Sequence, residues 1–305
     1  MSNAVPRSAI KTTVARWWSG RATPLVVMIA GLTVIWYIAA LALNWTSVRD
    51  AFEREETPYT VTELVVETLS AERPILPAPH QIAAELASSI ISYAPSSNRS
   101  LLFHSWVTLS ATLVGFLMGA LLGIALAILI VHIRTLQKSL LPWIISSQTI
   151  PILAIAPIII VVLGSMGVRG LLPKSIISAY LCFFPITIGM VKGLNSPDPI
   201  ERDLMRTWSA SKTQTFCKLR WPASMPFLFA SLKVAIAASL VGAIVGELPT
   251  GAQAGLGARL LAGSYYGQTI QIWAALTAAA ILAAMLVGLI GGCERLVLRR
   301  MGGGR

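Results

Sequence analysis

Charge is what this chain has least of. Of its 305 residues only 12% are charged and 55% are hydrophobic, whereas an ordinary soluble domain carries about 25% charged residues. A soluble globular protein is excluded, and the chain belongs in a bilayer. Acids are the scarcer sign, 13 against 24 Lys and Arg, so the +11 excess reports either a nucleic-acid face or membrane orientation. Cysteine is nearly missing: Cys182 falls in an expected span, Cys217 in an inner loop and Cys293 at the inner end of the last span. No disulfide or metal framework is implied. His80, His104 and His132 all fall outside the cores of the apolar runs. An intramembrane protease built on Gly164-Ser165-Met166-Gly167 would therefore have no base at depth. The phosphate-cradling pattern G-x-x-x-x-G-K-[ST] is also missing. The nearest stretch, 164–175, has Pro173 before Lys174, so the chain is not expected to bind ATP, and no cofactor or enzymatic activity is expected of it.

Long apolar runs, by contrast, are plentiful. A helix needs about 20 apolar residues to cross the hydrocarbon core. Six runs meet or approach that length, at 24–43, 106–131, 142–163, 175–191, 226–248 and 272–296. With the N-terminus inside, sixteen Lys and Arg fall in inner segments and seven in outer ones, which predicts both termini on the cytoplasmic side. The outer connection 44–100 is acidic, with Glu53, Glu55, Glu56 and Glu63 among its carboxylates. The basic balance is thus an orientation signal, and nucleic acid is not an expected partner. The first run is near twenty residues and longer than a signal-peptide core, so it is expected as an uncleaved anchor despite Ala40-Leu41-Ala42.

The outer connection is expected to hold a short amphipathic helix at 62–69 and, after the proline-rich stretch 74–79, another from His80 to Ile91, and to be a solvated connector rather than a catalytic segment. Gly115, Gly119 and Gly123 recur every four residues, and Gly242 and Gly246 repeat the spacing. Small residues so placed let helix backbones approach within a subunit or between subunits. The third run holds Ser147-Gln148-Thr149-Ile150-Pro151 and Pro157. Two prolines break its hydrogen-bond ladder, which fits a substrate path or a kink satisfied inside the bundle. Gln148, Thr149, Pro151, Ser178, Tyr180, Thr187 and Ser239 are the neutral pathway candidates.

The polar stretch 195–225 is the sharpest feature. Asp198, Glu201 and Asp203 stand near its start and Lys212, Lys218 and Arg220 near its end, as helix dipoles favour. Ser209 to Ser211 suits a turn between two short helices. This loop resembles the "EAA, three residues, G, nine residues, I-x-L-P" signature of permease subunits of bacterial ABC importers, in the binding-protein-dependent group that includes nitrate, sulfonate, taurine and thiamine-precursor systems. Asp203-Leu204-Met205 stands at EAA, Ser209 at the glycine and Leu219-Arg220-Trp221-Pro222 at I-x-L-P. Similarity continues through Leu76-Pro77-Ala78-Pro79, Gln148-Thr149-Ile150-Pro151, Phe183-Phe184-Pro185, Gly246-Glu247-Leu248 and Ala254-Gly255-Leu256-Gly257. Glutamate and glycine are usual in the family where this chain has Asp203 and Ser209. Ser209 is expected to hold the turn with its backbone outside the glycine-favouring region.

The resemblance implies an all-α, type I ABC importer permease fold with about six transmembrane helices. Its parts are a tail at 1–23, a first transmembrane helix at 24–43, an outer connection at 44–100, a permease core at 101–298 with a coupling loop at 195–225, and a tail at 299–305. It also implies that Asp203, Leu204, Met205, Arg206, Trp208, Ser209, Leu219, Trp221 and Pro222 couple the chain to an ATPase. Asp203 and Arg206 would fix the local helix, Trp208 and Leu219 would fill a groove, and Pro222 would set the exit angle. The implied partners are two ATPase subunits, a second and identical permease, an external solute-binding protein that contacts 247–266, and the lipid of a bacterial inner membrane. The implied cargo is a small nitrogen- or sulfur-containing organic solute. The alternative is an ion-coupled secondary transporter, which usually carries midplane ionisable groups and internal repeats; the expected spans hold almost no such groups.

Overall fold

Apolar runs that cannot leave their backbone groups unpaired in lipid become helices, and the computed structural model, which describes residues 22–56, 58–249 and 254–301, contains helix and no strand among them. The helices are α1 (Ala22–Arg54), α2 (Val61–Ser70), α3 (Pro79–Ile91), α4 (Leu101–His132), α5 (Arg134–Ser147), α6 (Ile152–Ser165), α7 (Leu171–Leu194), α8 (Pro199–Thr207), α9 (Lys212–Thr215), α10 (Trp221–Glu247), α11 (Leu256–Tyr266) and α12 (Thr269–Arg300). Among the described residues five helices are long and apolar enough to cross a membrane, and the bent pair α5 and α6 makes a sixth if counted as one span. The expected tails lie outside the described residues except at 22–23 and 299–301.

Two compact units divide the chain, one ending at Glu85 and including Gly267–Trp273, the other holding Leu86–Tyr266 and Ala274–Arg305. In the first, α1 has 33 residues and runs about 50 Å at 1.5 Å per residue, so the helix continues past the expected span into the outer connection. Leu25, Val26, Val27, Leu32 and Ile35 point outward and are suited to lipid. Its far half grips the proline-rich stretch. Asn44, fully buried, donates from Nδ2 to the Leu76 carbonyl at 2.8 Å and accepts the Ile75 and Leu76 N–H groups on Oδ1 at 2.7 and 3.2 Å. Trp36 donates to the Pro77 carbonyl, and Tyr37 stacks on His80. This corrects the expectation of a solvated connector, because Pro74, Pro77 and Ala78 are buried. The α2 helix opens with a capping box. The Thr60 N–H and hydroxyl both donate to Glu63 and hold its carboxyl below the usual range.

In the second unit α7 packs lengthwise against α4 and α10, and glycine makes this possible. A Cβ on Gly115 would lie 2.6 Å from the Ser175 carbonyl, one on Gly123 2.8 Å from the Phe183 carbonyl, and one on Gly242 2.7 Å from Ser178 Cα. Both glycine sets therefore serve contacts within the chain. Cys182, Ile186, Met190 and Leu194 fill the core beside Met225, Leu228 and Phe229. A second cluster joins Ile236 and Leu240 to Ala275, Ala279, Leu282 and Leu286 of α12. We expect Gly115→Ala and Gly242→Ala each to cost about 1–3 kcal/mol by overpacking, read as a lowered melting temperature in detergent. Gly164→Ala, which meets nothing within 4 Å, should be neutral or stabilising, as alanine is the better helix former.

Candidate coupling loop and substrate path

Polar sequence between apolar spans needs local satisfaction of its helix ends, and α8 obtains it at both. Asp198 accepts the Ile200 N–H at 3.1 Å while its own N–H donates to Glu201 at 3.0 Å, and Pro199 occupies the first turn, where no N–H is needed. At the other end the Ser209 N–H donates to the Arg206 carbonyl at 2.9 Å and the Ala210 N–H to the Met205 carbonyl at 3.0 Å. These two bonds form a Schellman cap. Ser209 sits at φ +54°, the left-handed region. This overturns the expectation that serine would hold the turn from ordinary backbone space: the two cap bonds hold the serine where glycine costs least. Ser211 then begins α9 with a reciprocal cap to Gln214.

From α9 the chain does not turn off into a separate span. It passes through a π turn, Phe216–Arg220, in which the Trp221 N–H donates to the Phe216 carbonyl, straight into α10. Pro222 lacks an N–H and would crowd the carbonyl four residues back in an α-helix, and the widened turn accommodates it. Pro222 thus lies inside a helical run from Lys212 to Glu247 rather than at a loop exit.

The coupling candidates separate by environment. Leu204 and Trp208 are 48% and 71% exposed, and Ile200, missed in the sequence reading, is 77% exposed. Their spacing of four places Ile200 and Leu204 on one face of α8 with Trp208, its C-cap, next in line, and that spacing was the signal for Ile200. Asp203 and Arg206 pair at 3.1 Å on the exposed surface, worth little by itself. Met205, Leu219, Trp221 and Pro222 are half-buried, with the Trp221 ring 5.9 Å from Phe216.

The pathway candidates separate likewise. Gln148, Thr149 and Pro151 lie at the 98° bend between α5 and α6. The Tyr180 hydroxyl donates to the Ser147 carbonyl, one of those beside the break. Thr149 Oγ1 donates to the Ser146 carbonyl at 2.7 Å. Ser178, Thr187 and Ser239 are instead fully buried in helix contacts. Their hydroxyls donate to the carbonyls of Ser239, Phe183 and Thr112 respectively.

A buried polar network at the other end of α10 also escaped the sequence reading. Glu247, fully buried, accepts the Thr108 hydroxyl at 3.0 Å and the Gly257 N–H at 2.8 Å, and lies 3.8 Å from Lys174 Nζ. Thr108 Oγ1 in turn accepts the Leu256 N–H, and Lys174 donates to the Ala254 carbonyl. His104 accepts the Gly255 N–H on Nδ1 and donates from Nε2 to the Asn98 carbonyl, which sets its neutral tautomer. Gly255 stands at φ +124° with no room for a Cβ beside the Glu247 carboxylate. The network anchors 254–257, part of the segment expected to meet a binding protein; residues 250–253 of that segment lie outside the described ones.

The sequence signature of a family described as "Binding-protein-dependent transport system inner membrane component" matches residues 119–302. A probable ABC transporter permease protein of Haemophilus influenzae is 34% identical over 50% of this chain and 61% of its own. The formylaminopyrimidine transport permease protein ThiX of Halalkalibacterium halodurans is 32% identical over 60% of this chain and 68% of its own. The riboflavin transport system permease protein RibX of Chloroflexus aurantiacus is 33% identical over 74% and 80%.

Ser209→Gly should relieve about 1 kcal/mol of left-handed strain and Ser209→Val should add to it, read as raised and lowered amide-exchange protection across 205–211. Lys174→Met leaves the Glu247 carboxylate buried without its cation and should cost about 3–5 kcal/mol, read as a fall in melting temperature larger than that of Arg169→Met at an exposed site.

Proposed function

Because the chain belongs to the family of binding-protein-dependent transport system inner membrane components, we propose that α8 is the surface through which a separate ATPase subunit drives it. As a member, the chain is a multi-pass inner-membrane permease of an ABC importer, which works with an ATPase and a solute-binding protein. The observation that carries the proposal is the exposed stripe Ile200, Leu204 and Trp208 on a short helix capped at both ends. An apolar face turned away from its own chain is suited to a partner's groove, with Trp208 as the anchor type that dominates interfaces. Asp203 and Arg206 flank the stripe, and Met205, Leu219, Trp221 and Pro222 are half-buried and are assigned to holding the loop rather than to touching the partner. The helical run of 36 residues from Lys212 to Glu247, about 54 Å long, is the lever. The Lys233–Glu294 ion pair joins that lever to α12.

In this reading two ATPase subunits act on two copies of the chain, and both termini are cytoplasmic with α8. The second copy is supported by the outward apolar face of α6, where Leu153, Ile158, Val161 and Val162 are exposed. The substrate path runs past Gln148, Thr149 and Pro151, where the bend brings polar groups to apolar helices. Its cargo is a small nitrogen-containing heteroaromatic solute, supported by two relatives named for formylaminopyrimidine and riboflavin transport. The ATP chemistry belongs to the partner. Coupling to an ion gradient has less support, since Glu247 and Lys174, and Lys233 and Glu294, neutralise one another in pairs.

Trp208→Ala should weaken retention of the ATPase by about 2 kcal/mol or more, roughly thirtyfold. The measurement is co-purification of tagged wild type and variant from host membranes, with the ATPase identified by mass spectrometry. Equal retention by Trp208→Ala and by a Leu204→Glu/Trp208→Glu variant of unchanged elution volume would sink the docking role of α8.

A further inference from the structure

Behind the docking stripe lies a cavity of about 580 Å³ whose wall carries Arg202 and Arg206 of α8, Lys212 of α9 and Arg220 of the π turn. Its single carboxylate among the described residues, Asp203, is already shared with Arg206. Arg202, Lys212 and Arg220 have no carboxylate within ion-pair distance among the described residues, and the Arg220 Nε–H is buried without a hydrogen-bond partner among them. Four cations around one carboxylate repel one another, and a buried guanidinium N–H without an acceptor costs free energy. An anion in the cavity would relieve both costs.

We infer that this cavity is a binding site for a phosphate group. Three of the four cations are arginines, whose planar forks match phosphate oxygens two at a time. The volume is in the range of small-molecule sites of about 300–1,000 Å³ and exceeds what one inserted side-chain carboxylate would fill. The floor is formed by Val131 and His132 at the end of α4 and by Phe216, with the His132 ring 5.2 Å from that of Phe216. The His132 Nδ1–H donates to the Ile128 carbonyl at 2.8 Å, which holds the ring in place. The site thus opens at the level where apolar spans end and basic loops begin. Basic pockets between helices at that level suit phospholipid headgroups, and the same forks would hold a soluble phosphate. A bound phosphate would tie α8 to the base of the lever by contacts to both. The inference stands on the cavity's own charge and shape, independently of ATPase docking.

The test uses the full chain purified in detergent without partners, with lipid retention read by native mass spectrometry. Phosphatidylglycerol is compared with phosphatidylcholine, and inorganic pyrophosphate serves as the soluble probe. Wild type should retain phosphatidylglycerol or pyrophosphate. Arg202→Gln/Lys212→Gln, at positions outside the buried core, should lose at least about tenfold of that retention, as should Arg220→Gln, while Arg299→Gln, outside the cavity, should keep it. Preference for phosphatidylglycerol unaffected by millimolar pyrophosphate identifies a lipid headgroup, and pyrophosphate binding without lipid preference identifies a soluble phosphate. Retention of neither probe, or equal retention by wild type and the Arg202→Gln/Lys212→Gln variant, overturns the inference.

Discussion

Close approach of helix backbones is the constraint on which the permease core depends. Lipid tails are as apolar as leucine, so moving one apolar helix against another gains little from the hydrophobic effect, and dispersion contact at short range must hold the bundle. Gly115, Gly119 and Gly123 bring α4 onto α7, and Gly242 brings α10 onto the same helix from another side. At that separation Ser178 and Ser239 reach carbonyls across the contacts, at 2.8 Å to Ser239 and 2.9 Å to Thr112. The hydroxyls need no solvent, and the close contact accounts for their burial.

The same low dielectric explains how the irregular segments are held. Where backbone leaves the helical ladder in or near apolar surroundings, a side chain supplies the missing partner. Asn44 does this for the extended stretch at 75–76, Tyr180 for the carbonyl of Ser147 beside the bend, and Thr108 with Glu247 for the N–H groups of Leu256 and Gly257. Each is a polar residue at a place that composition alone would assign to lipid or loop. Each also fixes a segment that leaves the helical ladder.

The spans were legible because hydropathy acts over about twenty residues and does not depend on neighbours. The loop at 195–225 was legible because capping and dipole preferences are local. What was not legible depended on contacts distant in sequence. Glu247 reads as an acid at the edge of a span until Thr108 and Lys174 are placed beside it. The stretch 74–79 reads as solvated connector until Asn44 is found under it. The bend at 148–151 was anticipated from Pro151, but its 98° angle is a property of the packing. Ile200 was missed although its spacing to Leu204 and Trp208 was available, because one apolar residue after a proline is weak signal alone.

Ser209 shows how such a local choice bears on the proposed lever. A glycine there would adopt the left-handed turn at little cost and would also leave the unbound elbow free to sample others. Serine accepts strain in the turn, so the Schellman bonds to Arg206 and Met205 open more readily than they would over glycine, but they open onto fewer alternative conformations. A docking helix transmits displacement only if its connection to the span bends less than its partner pushes. With α8 capped at Asp198 and Ser209, and with no break from Lys212 to Glu247, compliance is concentrated in the few residues from Ser209 to Ser211. Those residues lie beside the basic cavity, so an anion held there would stiffen the one joint that the lever retains.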